Sequence, residues 1–98
     1  MGTLDDFVAA VVPGLDAVRE RIATQHPEYR VWVDRAVPIG DIYPVFRLLA
    51  TDGNDRHLYV TVDVDWWRRF NRNHPMLWVQ VVEMEMEMLI EETARADV

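Results

Sequence analysis

Val82-Glu83-Met84-Glu85-Met86-Glu87-Met88 alternates apolar and acidic residues without a break. An extended strand turns successive side chains to opposite faces, so this period of two predicts a strand with Val82, Met84, Met86 and Met88 inward and Glu83, Glu85 and Glu87 outward. Glutamate and methionine are also good helix formers. A helix, however, would stack Glu83 on Glu87 and Glu87 on Glu91, like charges at a destabilising spacing, so the extended reading is the one carried forward. It makes residues 76–90 one long strand, followed by a frayed polar tail at 91–98.

Working back from that strand, Trp66-Trp67-Arg68-Arg69-Phe70-Asn71-Arg72 and the residues to Pro75 read as a short helical turn or loop. Before it, Tyr29–Val37, Tyr43–Thr51 and Arg56–Asp65 are rich in aromatic and β-branched residues. They are separated by Pro38-Ile39-Gly40-Asp41 and by the hairpin signal Asp52-Gly53-Asn54-Asp55. In residues 1–26, Leu4, Phe7, Val8, Val11, Leu15, Val18 and Ile22 recur at the three-and-four spacing of one helical stripe. Thr3 with Asp6 resembles a capping box, Pro13-Gly14 predicts a kink, and His26-Pro27 ends the element.

The expected fold is therefore α+β: a four-stranded antiparallel sheet on one principal, Pro-kinked N-terminal helix, in the order α-β-β-β-(short helical turn)-β. Residues 1–98 contain no repeat or linker and read as one domain.

Composition removes several chemistries. There is no cysteine, lysine or serine, and all ten basic residues are arginine. Disulfides, thiolate metal sites, Schiff-base lysines and serine nucleophiles are thereby excluded, and a cysteine-free chain is expected to be cytoplasmic. No basic leader and no run long enough to span a bilayer is visible, so no membrane role is expected. The net charge of −7 is concentrated near the end: residues 76–98 carry six acids against Arg95, whereas residues 29–75 carry seven arginines against six aspartates. That balance disfavours nucleic acid and permits a basic protein partner.

A single helix covers one face of such a sheet, leaving the other to solvent, a partner or a second copy. Alternation assigns Trp32, Val45, Leu49, Leu77, Val79 and Val81 to the apolar half of that open face, with Arg30, Tyr43, Arg47, His57 and Tyr59 beside them. With half of its residues hydrophobic, the chain has more apolar material than a small monomer needs, and this predicts a protein-binding module that forms a homodimer.

An alternative site is the loop bearing Trp66, Trp67, Arg68, Arg69 and Arg72, whose aromatic faces and guanidinium groups suit a small ligand or nucleic acid. Its bland reading has Trp67 and Phe70 plugging the core. A third reading places a small enzyme's cavity between helix and sheet, using His57, Tyr59 and Asp63. The three histidines show no paired metal-ligand spacing and the glycines form no phosphate cradle, so neither metal, cofactor nor catalytic residue is assigned. The resulting expectation is a non-catalytic accessory, inhibitor, immunity-type or chaperone-like protein.

Overall fold

In the computed structural model, which describes residues 2–54, 56–72 and 74–96, the chain opens with helix α1, Thr3–Gln25. The apolar stripe read from the sequence faces the core: Phe7, Val11, Leu15, Val18 and Ile22 are fully buried. The capping box does not form. Thr3 already belongs to the first turn, Gly2 is the N-cap, and among the described residues no side chain caps this end of the helix. Pro13 lies inside the helix, which continues through it with buried Val11 and Leu15 on either side.

Strands β1, Arg30–Ala36, β2, Val45–Thr51, and β3, His57–Val62, form an antiparallel sheet in the order β1-β2-β3. The second turn is held by Asp52, whose Oδ1 accepts the Asn54 N–H at 2.8 Å and whose Oδ2 accepts Arg56 Nε–H at 3.0 Å. The fourth turn residue, Asp55, lies outside the described residues. Phe46, Leu48 and Ala50 of β2 and Val60 and Val62 of β3 are buried on the inner face.

The third strand ends earlier than its sequence pattern predicts. Asp63 leaves it to cap helix α2, Val64–Asn71, by accepting the Trp66 N–H at 2.8 Å. A carboxylate at this position satisfies an orphan donor and suits the positive end of the helix.

Val82–Met88 is helical, not extended. Among the described residues there is no fourth strand: Leu77–Ala96 forms helix α3, and the sheet has three strands. The core residues of this segment, Trp78, Val79, Val82, Met86 and Ile90, follow helical spacing. Met84 and Met88, expected to share Met86's face, point to solvent. The glutamate ladder that argued against a helix is met, carboxylate by carboxylate, by side-chain partners. Arg21 Nε donates to Glu83 Oε1 at 2.6 Å, His26 Nε2 meets Glu87 Oε2 at 2.8 Å, and Arg95 lies 3.8 Å from Glu91. With that repulsion offset, the helix propensity of methionine and glutamate decides the conformation.

The architecture is thus α+β, with an N-terminal helix and an antiparallel sheet. Helices α1 and α3 pack together, α1 against β1 and β2, and α3 against β3, all on the inner face. Among the described residues no helix is long and apolar enough to cross a membrane.

Candidate functional site: the open sheet face

Strand register sorts the uncovered face into rows. Arg30, Thr51 and His57 form one; Trp32, Leu49 and Tyr59 the next; Asp34, Arg47 and Thr61 the third; Ala36 and Val45 close the β1–β2 end. Directly opposed residues on one face of an antiparallel pair are close enough to pack, so the central row is an apolar bar between polar rows.

Leu49 is the keystone of this bar. It is only 8 % exposed yet stands outside the cluster that joins the sheet's inner face to the helices. Its same-face neighbours Trp32 and Tyr59 shield it, and Tyr59 itself is 58 % exposed. The Arg30 guanidinium lies over the Trp32 ring, 5.3 Å from its centroid. This cation–π contact leaves the charge at the rim.

Across the third row, Arg47 forks onto Asp34, Nε to Oδ1 at 3.1 Å and Nη2 to Oδ2 at 2.6 Å. The hydrogen bond to the carboxylate, and then its charge, raise the Arg47 pKa further above its ordinary value. The pair ties β1 to β2 and fixes the border of the apolar bar.

The six residues assigned to this face from sequence divide cleanly. Trp32, Val45 and Leu49 share it, as the alternation of the first two strands requires. Leu77, Val79 and Val81 do not, because α3 carries them elsewhere: Val79 is buried in the core, whereas Leu77 and Val81 are half-buried on the helix. Residues 79–85, which a fourth strand would have laid beside β3, lie on α3 instead. Tyr43, also assigned to the face, lies in the β1–β2 connector beneath the Arg68 guanidinium, 5.9 Å from its ring centroid.

The Trp66–Arg72 segment does not present its aromatic and basic groups together. Trp67 is buried against Phe7, with ring centroids 5.4 Å apart, and Trp66 stacks on Phe70 at 4.6 Å. Arg69 and Arg72 point to solvent. His57 and Tyr59 lie on the outer face, while Asp63 is engaged as the cap of α2, so this trio lines no common cavity between helix and sheet. Among the described residues no three His, Cys, Asp or Glu side chains gather as a metal site.

One feature escaped the sequence reading. The connector between β1 and β2 exposes Val37, Ile39 and Ile42 around Gly40, whose φ of 89° suits glycine. Its signal was three aliphatics spaced among turn residues, too irregular for either strand or helical periodicity to register. At its base, a cleft of about 370 Å³ opens beside Val45 and α2, with Asp41, Asp63 and Asp65 in its walls.

No known protein family matches the chain, and neither the curated proteins nor the solved structures contain a match.

Proposed function

We propose that this chain is a small non-catalytic protein-binding module whose docking surface is the open sheet face, and that it forms a homodimer through that face. The supporting observation is the bar of Trp32, Leu49 and Tyr59, an apolar strip across which no helix or strand of the described residues is laid. Aromatic anchors in a row, rimmed by charged residues, have the composition of an interface centre. The exposed aliphatics of the connector extend the strip beyond Val45. For a partner other than a second copy, the net charge and the aspartates of the adjoining cleft favour a basic protein over an acidic one. Accessory, inhibitor, immunity-type and chaperone-like roles all fall within this reading, with the cytoplasm as the proposed location.

Size-exclusion chromatography with light scattering tests it. The expected result is a dimer at micromolar concentration that Trp32→Glu or Tyr59→Glu converts to a folded monomer. A wild-type monomer that binds no apolar dye overturns the proposal.

A further inference from the structure

Of the three strands only β2 is paired on both sides. The outer edge of β1 is open: its residues pair with β2 in unbroken register, and among the described residues no backbone hydrogen bond from outside the sheet reaches Arg30–Ala36. Alternate residues of such a strand turn their N–H and C=O groups outward, a template for one more strand. The helical layer distinguishes this edge from the opposite one. On β3 the inward Val60 and Val62 are buried, whereas on β1 the inward Val31 and Val33 are only half-buried. Apolar surface is thus left to cover at β1.

Charged side chains on an edge strand ordinarily keep copies apart. On β1 their order does the reverse. Two antiparallel copies of one strand must turn the same set of backbone groups toward each other, so residues of equal parity oppose and the two-fold axis passes through a residue. Centring on Trp32 sets Arg30 against the partner's Asp34, twice by symmetry, with Trp32 against itself on the outer face and Val31 against the partner's Val33 on the inner one. Opposite charges, paired aromatics and paired β-branched residues are all favourable across strands. The neighbouring registers are poorer. Centring on Asp34 or Arg35 opposes like charges, centring on Val31 sets Asp34 against Glu28, and centring on Val33 gives no charge an opposite. Asp34 can take the second guanidinium, because its two bonds to Arg47 leave lone pairs on both oxygens. The same register carries the row of Trp32, Leu49 and Tyr59 across the seam without a break.

We propose that β1 is a second self-association site, where two copies pair antiparallel about Trp32 into a continuous six-stranded sheet. This contact uses the strand's edge, whereas the dimer proposed above uses the sheet's face, so neither blocks the other. A seam of one short strand per copy is smaller than a standard interface, which places this association at the higher concentration.

Amide exchange of the ¹⁵N-labelled protein, followed together with light scattering from micromolar to millimolar concentration, tests this. The expected result is slowed exchange at alternate amides of β1 and a doubling of mass, with the outward amides of β3 unchanged. Arg30→Asp or Asp34→Arg alone should lose both effects, because each opposes like charges in its own pair. An equimolar mixture of the two variants should regain them, since the register then sets an acid against an arginine at both ends. Mixing cannot restore the stacking of Arg30 on Trp32 or the bonds of Asp34 to Arg47, so recovery reports the register. If Asp34→Arg fails to fold, the wild-type exchange and its loss in Arg30→Asp decide. Tyr59→Glu should split the face dimer and leave the β1 protection intact. Unchanged β1 exchange up to millimolar concentration, protection at β3 instead, or no recovery on mixing two folded variants overturns the proposal. A wild type that is monomeric at micromolar concentration yet gains β1 protection at millimolar concentration supports it while overturning the face dimer.

Discussion

Arg21 on α1 and Glu83 on α3 meet at 2.6 Å across 62 residues of sequence. One turn further along α3, Glu87 meets His26, the C-cap residue of α1, at 2.8 Å. These two contacts let a run of glutamates spaced four apart remain helical. The first is largely exposed and is worth up to about 1 kcal/mol. Arg21→Ala should therefore lower the unfolding free energy in urea by up to about 1 kcal/mol while leaving the helical circular dichroism of the native state intact.

His26→Ala should cost more. Among the described residues Glu87 Oε1 is already buried without a partner, so loss of the imidazole leaves both oxygens of a half-buried carboxylate without one there. The expected loss is about 1–3 kcal/mol, and Glu87→Gln should recover part of it in the His26→Ala background, because an uncharged amide is cheaper to leave there. Chemical denaturation of the two variants checks this.

The methionines separate helix from strand directly. Met86 is fully buried, whereas Met84 and Met88 are more than half exposed. Met86→Ala should cost about 2–5 kcal/mol. Met84→Ala and Met88→Ala should each stay within about 0.5 kcal/mol of wild type. Equal losses at all three would restore the strand.

Gly14 sits where α1 meets the Trp78 indole. A Cβ at this position would lie 2.6 Å from Trp78 Cζ2, and Trp78 is buried. Gly14→Ala gains about 1 kcal/mol of helix propensity. It meets an overpacking penalty of about 1–3 kcal/mol, so the variant should melt below wild type.

Acid should loosen the β2–β3 turn only at low pH. The Asn54 backbone N–H, followed by Arg56, holds the Asp52 pKa below its ordinary value of 3.8. A carboxyl with a depressed folded pKa contributes stability that is complete above its unfolded pKa and lost as the pH falls through the folded one. The turn's contribution should persist at pH values above the ordinary carboxylate range and disappear below it. Unfolding midpoints measured between about pH 6 and pH 2 should show a shallower acid limb for Asp52→Asn than for wild type.

How much of the molecule could be read from the chain depends on which residues decided each element. The stripe from Phe7 to Ile22 and the alternation of Phe46, Leu48 and Ala50 against Arg47 and Leu49 are local patterns, and both appear as expected. Trp32, Val45 and Leu49 were therefore correctly placed on one face. Residues 77–96 were not legible in the same way. Their inward positions satisfy a helix, their alternation also satisfies a strand, and the arbiters are Arg21 and His26, more than sixty residues away. Asp63 shows the same limit on a smaller scale: it continues the period-two pattern of β3, but its side chain turns the backbone into α2. The groove that Trp67 and Trp78 line beside α1 was hidden because its walls come from three helices, α1 lying far in sequence from α2 and α3.

The contact of α1 with α3 has a consequence for the order in which this molecule is assembled. During vectorial synthesis the first helix and the three-stranded sheet leave the ribosome before their lid exists, so Val60 and Val62 stay wet until the segment through Ile90 arrives. Release of a chain stalled short of that point yields a sticky fragment rather than a smaller folded protein.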